Sequence, residues 1–436
     1  MKTRTFSGGV YVPHNKELTH NIPIERIMPK EGQVMIYPMS QHIGVPCLPI
    51  VNVGDRVTTG QKIAEGTSSV SVPIHSSVSG LVIGIRDVLT SAGIMSSAVI
   101  IKCCSRYVEN RPMILDKDFN RLSREQVLEK IKVAGVIGMG GAGFPTHIKL
   151  DPPPEKRIEY IIANGAECEP YIMADHMAML DEPDKLIAGL QIIMSLHKSA
   201  KGIIAVESNK LDVISLLKYK CRELPDIEIA CLGTKYPQGS ERQIVYSCTG
   251  KKVPLKGLPP DVGCIVCNVA TIIAVYEAVI SNHPLISRIV TINGDAATRK
   301  GNYRVPLGIQ LKDFLESTGN TANETVRKII CGGPMMGNAV YDVNVPITKT
   351  SSAFLLFSNK EEELLTERPC IRCGRCVDVC PIALMPVFLN RDVIDGDFEM
   401  FKKGRGLDCI ECGSCSYICP SGRHLVQSII VGKRSV

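Results

Sequence analysis

Cys370-Ile-Arg-Cys373-Gly-Arg-Cys376-Val-Asp-Val-Cys380-Pro381 recurs as Cys409-Ile-Glu-Cys412-Gly-Ser-Cys415-Ser-Tyr-Ile-Cys419-Pro420, each cysteine of the second stretch lying 39 residues after its counterpart. Four thiols at this spacing, closed by Cys-Pro, form the two-cluster iron–sulfur pattern, in which three thiolates of one run hold a [4Fe–4S] cluster and the fourth crosses to the other. The pattern therefore assigns Cys370, Cys373, Cys376 and Cys419 to one cluster, and Cys409, Cys412, Cys415 and Cys380 to the second. Two zinc sites are the alternative. Zinc usually takes two Cys-x-x-Cys pairs split by a longer spacer, so this pattern disfavours it. The expected fold of the C-terminal region is a small α-helical domain of the bacterial ferredoxin type, and the expected chemistry is one-electron transfer.

Upstream of the repeat, 436 residues with 44% hydrophobic and 22% charged side chains leave room for several domains with cores of their own. The formal charge of +6 is spread along the chain without a basic run dense enough to announce an acidic partner or an anionic membrane surface, and no nucleic acid is expected as a partner. Ten of the 18 cysteines lie outside the repeat without the spacing of a disulfide framework. Free thiols beside iron–sulfur ligands predict a reducing compartment. The first residues lack the apolar core of a signal peptide, so retention in the cytosol is expected. The most apolar stretch, residues 264–280, is interrupted by Asn268, Thr271 and Glu277 and is too short to span a bilayer. It reads as a buried helix, and membrane contact is expected only through partners.

Short β runs broken by Gly and Pro fill residues 30–102, the signature of a small sandwich or barrel. Ser123 followed by Gln126 predicts a capping box opening a helix through residue 133. From there to about residue 280, β runs at 158–163, 202–206 and 227–231 alternate with helical patterns at 184–197, 209–223 and 270–281, which predicts an α/β layer with a largely parallel sheet. Strand runs at 288–292, 303–305, 328–331 and 353–357 around a helix at 310–317 give a ββαβ order that suits a β-grasp domain. Residues 360–367 read as an acidic linker. The fold class expected is multidomain α/β, divided into residues 1–115, 116–284, 285–358 and 359–436.

Gly138-Met-Gly-Gly-Ala-Gly143 satisfies the dinucleotide fingerprint, but its context argues against a Rossmann turn. A helix precedes the loop where a strand belongs, and Pro145 with Pro152, Pro153 and Pro154 leaves little room for the following helix. A different phosphate or flavin cradle is expected, in which glycine N–H groups close on an anion or flat ring and Lys149 adds positive charge. Cys168, flanked by Glu167 and Glu169, reads as a small buried residue and not a reactive thiol. His147 and His176 read as surface or helix-end histidines and not as ligands. Arg372, Arg375, Lys402, Lys403 and Arg405 near the cluster cysteines read either as a solvated face or as a guide for an acidic redox partner.

Several segments carry resemblances. "VNVGDRVTTGQKIAEG…VPIHSSVSGLVIGI" resembles a biotinyl/lipoyl-type barrel-sandwich domain. Residues 66–73, at the position of the hairpin tip, hold no lysine for a swinging arm, so a structural or docking module is expected. "GMGGAGFPTHIK" (138–149), "NGAECEP" (164–170), "YPQGSERQ" (236–243) and "CNVATI" (267–272) resemble the NADH- and FMN-binding flavoprotein subunit of respiratory complex I. That resemblance implies that Gly138, Gly140, Lys149, Asn164, Glu167, Tyr236, Gly239, Asn268 and Thr271 surround FMN, and Gly141 and Gly143 of the same loop are expected to bind cofactor. It implies that Phe144, Glu169 and Glu241 face NADH. Met139, Ala166 and Leu150 stand where that flavoprotein has Arg, Asp and Trp.

With "TFSGGVYVPHNKELT", "TINGDAATRKGNYRVPLG", "CGGPMMG" and the cysteine repeat added, nearly the whole chain resembles the RnfC family of the Rnf electron-transport complexes. The resemblance implies a barrel-sandwich hybrid, a complex I flavoprotein-like FMN/NADH domain, an SLBB-like β-grasp domain and a ferredoxin domain with two [4Fe–4S] clusters. It further implies a peripheral subunit on the cytoplasmic face of the membrane. Such a protein would exchange electrons between NAD(H) and ferredoxin with membrane-embedded and ferredoxin-oxidising partners of the same complex, coupled to Na⁺ or H⁺ translocation. No general acid or base is expected, since the cofactors carry the chemistry.

Two alternatives stay open at this stage. A cobalamin reductase of diol-utilising microcompartments resembles the same motifs but generally begins close to the glycine loop. A non-catalytic electron-transfer adaptor is the other, since one component of the sodium-pumping NADH:quinone reductase resembles the first three domains without the ferredoxin repeat.

Overall fold

The computed structural model describes residues 3–20, 22–104, 119–358 and 366–436. The expected 360–367 linker lies, except for its last two residues, outside them. An antiparallel sheet of Val34–Pro38, Met95–Cys103, Gly80–Leu89 and Arg56–Val57, in that order, packs with a second sheet of Leu48–Pro49, Lys62–Glu65 and Ile74–His75. Met35, Tyr37, Ile63, Ile74, Val82 and Val99 fill the space between them, which makes the expected sandwich.

A parallel sheet follows in the order Ile227–Leu232, Lys201–Glu207, Tyr160–Gly165, Cys264–Asn268. Its strands are near-continuous apolar runs because helices cover the faces. Pro183–Ser195 and Val269–Ile280 pack together closely at Gly189, where a Cβ would overlap the Ile272 carbonyl. The apolar stretch read as one helix over 264–280 is in fact a strand turning directly into a helix. Asn268 makes the turn by accepting the N–H groups of Ala270 and Thr271 as N-cap. The Ser123–Gln126 capping box is present as expected.

The third unit has the strand order Gly301–Pro306, Ser287–Asn293, Ala353–Phe357, Lys328–Cys331, with the middle pair parallel and Leu311–Ser317 as its helix. This is the β-grasp topology expected. Glu25–Arg26 extends it at one edge and Asn338–Val340 at the other. Its core is continuous with that of the sandwich, and the Ser77 hydroxyl donates to the Leu307 carbonyl at 2.6 Å across the junction.

In the C-terminal unit the sequence repeat is also a backbone repeat. Arg372 and Glu411 share a positive φ, as do Gly374 and Gly413, and the short helices Arg375–Asp378 and Ser414–Tyr417 follow at matching positions. Residues 3–20 lash the units together. Arg4 pairs with strand 227–232, Val10 exchanges backbone hydrogen bonds with Tyr236 at 2.8 and 2.9 Å, Gly9 donates to Val379, and Asn302 of the β-grasp unit donates to Thr19. Among the described residues no helix is long and apolar enough to cross a membrane.

Candidate cofactor sites

The glycine loop lies between the helix Arg124–Val133 and the short helix Thr146–Lys149, so no strand feeds it. Its shape is fixed from within and from two other elements. Gly138 N–H donates to the Phe144 carbonyl at 2.8 Å, Met139 N–H donates to the Thr271 hydroxyl at 2.8 Å, and the buried Arg288 donates to the Met139 carbonyl at 3.1 Å. Gly140 lies on the Asn268 side chain, leaving no slack for a Cβ, whereas nothing stands within 4 Å of where a Cβ of Gly141 would be. Gly143 has a φ of +74°, and Phe144 stays 36% exposed at the end of the loop.

Beside this loop end two neighbouring strands of the parallel sheet, Tyr160–Gly165 and the edge strand Cys264–Asn268, with Asn164 and Asn268 in register. The C-terminal edge of such a sheet is where ligands bind. Asn164 donates to the Gly239 carbonyl at 2.8 Å and accepts from Ala166 N–H, while Asn268 donates to Asp175 at 2.6 Å. Lys149 is ion-paired with Glu241 at the start of helix Glu241–Thr249. Burial presses the Lys149 pKa down, but the Glu241 carboxylate outweighs it and keeps the ammonium above its ordinary range. Glu167 is almost fully buried, caps helix Ala174–Asp181 through Asp175 and His176 N–H, and receives Lys16, whose ammonium donates to the Glu167 carbonyl at 2.5 Å.

The structure thus brings Gly138, Gly140, Gly141, Gly143, Lys149, Asn164, Glu167, Gly239, Glu241, Asn268 and Thr271 to one edge. Within that group Asn164, Glu167, Asn268 and Thr271 are engaged with the protein's own backbone and side chains and shape the cradle. An open glycine face, the exposed Phe144 ring and the Lys149 charge fit a flat anionic cofactor such as FMN.

Tyr236 and Glu169 turn elsewhere. The Tyr236 ring is 1% exposed and packs with Val10, Val12, Met335, Cys168 and Cys412, at the junction with the ferredoxin-type unit, because its backbone is held by Val10. Glu169 accepts Met335 N–H at 3.1 Å from the 332–337 loop of the β-grasp unit, while its second oxygen is buried without a partner. Burial pushes its carboxyl up to about 7, so near neutrality it can still hold a proton to donate. Cys168 is half-buried, where the sequence reading expected full burial. Its sulfur accepts Gly239 N–H, and burial pushes the thiol to about 12.

His176 departs from the sequence reading. It is 1% exposed, hydrogen-bonded to Asp212 at 2.8 Å, and burial pushes it down to about 4, leaving a neutral imidazole. Lys16 and Arg288 carry no signal in the sequence, because isolated basic residues give no local sign of partners more than a hundred positions away.

In the ferredoxin-type unit Cys380 lines one apolar cavity with Cys409, Cys412 and Cys415, closed by Ile382, Leu384, Ile410, Val426 and Ile429. Cys376 and Cys419 pack against a neighbouring apolar cluster of Cys415, Leu425 and Val426. Among the described residues one further His/Cys/Asp/Glu group, His20, His176 and Asp212, has its ligand atoms within 4.8 Å of one another. Cys380, Cys370 and Cys409 each accept a backbone N–H at 3.2–3.4 Å, contacts of the kind that tune a cluster's potential. Cys412 and Cys415 are buried, and Cys412 adjoins the flavin-type unit through Tyr236, whereas Cys370 and Cys373 open to the surface. A cavity of about 450 Å³ lies away from both sites, between helix 124–133 and the sandwich.

A glycine cradle on an α/β unit, joined to paired cysteine quartets, defines a flavin- and iron–sulfur-dependent electron-transfer protein. The chain matches three known domain families: the RnfC barrel sandwich hybrid domain over residues 4–106, the Nuo51 FMN-binding domain over 131–277, and the 4Fe-4S dicluster domain over 369–423. It is 38% identical to the C subunit of the Na(+)-translocating ferredoxin:NAD(+) oxidoreductase complex of Acetobacterium woodii, covering 100% of this chain and 98% of the relative. It is 42% identical to the proton-translocating counterpart of Clostridium ljungdahlii, over 89% and 84% of the two chains. A chain of an NAD⁺-reducing [NiFe]-hydrogenase shares the fold, with TM-score 0.51, 18% identity and coverage of 74% and 66%. The protein belongs to the RnfC family, the C subunits of ion-translocating ferredoxin:NAD(+) oxidoreductase complexes.

Proposed function

We propose that this chain is the peripheral subunit of an Rnf-type, ion-translocating NAD:ferredoxin oxidoreductase that exchanges electrons between NAD(H) and two [4Fe–4S] clusters by way of FMN. Its partners are the other subunits of that complex, and the side of the membrane proposed is the cytoplasmic face. The reading rests on whole-length similarity to the Acetobacterium woodii protein together with the cradle and the two cysteine sets. A bound flavin supplies the conversion of a two-electron hydride into single electrons, which iron–sulfur clusters can accept.

This chain's own residues bind and orient. The glycine face of 138–143 admits the flat ring, with Lys149 beside its anionic edge. Phe144 offers a ring to stack on nicotinamide, and the unpartnered Glu169 oxygen offers a buried acceptor for a hydroxyl or carboxamide. Asn164, Asn268, Thr271 and Glu167 hold the cradle in shape. The quartet of Cys380, Cys409, Cys412 and Cys415 stands nearer the flavin-type unit, and that of Cys370, Cys373, Cys376 and Cys419 nearer the surface. This order suits a relay from the interior outward to a redox partner. The division into residues 1–115, 116–284, 285–358 and 359–436 is proposed with it.

The sandwich match over residues 4–106 supports the Rnf-type reading over a cobalamin reductase. Phe144→Ala, at an exposed ring, separates the oxidoreductase from the adaptor. A loss of about tenfold or more in kcat/KM for NADH is expected. Unchanged NADH oxidation would favour an adaptor.

A further inference from the structure

His20, His176 and Asp212 come from three separate segments: the N-terminal lash, helix Ala174–Asp181 and the first turn of helix Leu211–Lys220. His176 Nε2 lies 2.8 Å and His20 Nε2 3.7 Å from the same oxygen, Asp212 Oδ2, and all three ligand atoms fall within 4.8 Å of one another. Two ligands held about 2.1 Å from a tetrahedral ion are about 3.4 Å apart, so the observed separations bracket what a small divalent cation requires. The imidazoles meet edge to face at 4.9 Å.

We propose that His20, His176 and Asp212 form a divalent transition-metal site, with Zn²⁺ the ion best suited to two imidazoles and a carboxylate, that staples the N-terminal lash to the flavin-type unit. Asp212 is pre-oriented for it, because its other oxygen, Oδ1, accepts Val213 N–H at 2.8 Å and leaves Oδ2 for the metal. His176 is buried and fixed, while the His20 and Asp212 side chains are 38% and 36% exposed, giving an ion a path inward and a fourth position for water. On binding, the metal takes the place of the proton between His176 Nε2 and Asp212 Oδ2, and that proton moves to the other ring nitrogen. The nearby Lys210 charge does not oppose the ion at full strength, since Glu207 is hydrogen-bonded to it at 2.6 Å.

The consequence reaches the cofactor edge. Four residues before His20, the same lash delivers Lys16 to Glu167, and further back it pairs Val10 with Tyr236. An ion at His20 holds both contacts in place.

The test uses the full-length, oxidised holoprotein with FMN and clusters in place, freed of loose metal and titrated with ZnCl₂ by calorimetry under anaerobic conditions. One site per chain is expected, weakened at least about tenfold by His20→Ala and by Asp212→Asn, both at partly exposed positions. Zinc-soaked crystals are expected to show anomalous density between the three side chains. Absence of binding in the unaltered chain overturns the proposal. So does equal affinity in both variants, which would mean zinc held by thiols elsewhere and the His176–Asp212 contact a plain hydrogen bond. None of these readouts depends on NADH oxidation.

Discussion

Cys380 belongs to the first cysteine run and Cys412 to the second, yet both line one apolar cavity. Pairs of substitutions separate this crossed arrangement from two self-contained runs. If the runs cross, Cys380→Ser with Cys412→Ser damages one cluster and leaves about four irons per chain, whereas Cys380→Ser with Cys373→Ser damages both and leaves almost none. Iron analysis and EPR of the dithionite-reduced protein read the difference. The reverse result would mean that each run holds its own cluster.

Glu169 lies flat against Gly333, where a Cβ would overlap its carboxylate, while Met335 N–H holds one oxygen. Gly333→Ala is expected to cost about 1–3 kcal/mol by overpacking. In a double-mutant cycle with Glu169→Ala, most of that cost is expected to vanish, because the crowded group is gone. Additive effects would show that the loop and Glu169 do not press on each other.

Burial raises Glu169 from 4.5 to about 7, and the sign of its effect on stability follows. Below pH 4.5 the folded and unfolded chains both keep the proton and the group contributes nothing. Between 4.5 and 7 the unfolded chain releases it first, so stability falls as pH rises, and the loss is complete above 7. Scanning calorimetry of the holoprotein from pH 5 to 8 is expected to show a transition temperature that declines less with pH in Glu169→Gln. Parallel curves would contradict the assignment.

The Lys149–Glu241 pair sits at the cradle. Lys149→Ala is expected to weaken FMN binding about tenfold, roughly 1.4 kcal/mol, with Lys149→Arg recovering part of it. Flavin fluorescence titration measures both. Equal affinity in all three proteins would place Lys149 outside the flavin site.

Regular elements and the cysteine repeat were legible in the sequence because spacing and periodicity encode them locally. The 39-residue repeat returned as matched positive-φ residues, and the ββαβ run as a β-grasp sheet. The paths of residues 3–20 and 22–26 were not legible, since Glu25–Arg26 joins a sheet by pairing with Tyr303 and Arg304, far along the chain. Nor was the burial of His176, whose partner Asp212 is 36 positions away. Cys264–Asn268 reads as helix because an apolar run carries no period of its own, and only the Asn268 cap marks where strand gives way to helix.

The central claim is that electrons pass from NADH through this chain to its clusters. Anaerobic titration of the FMN-loaded, cluster-reconstituted protein with NADH, followed by visible absorption and EPR, measures it directly. Bleaching of the flavin band together with a reduced-cluster EPR signal is the predicted result. Clusters that dithionite reduces but NADH leaves oxidised, with FMN bound, would contradict it.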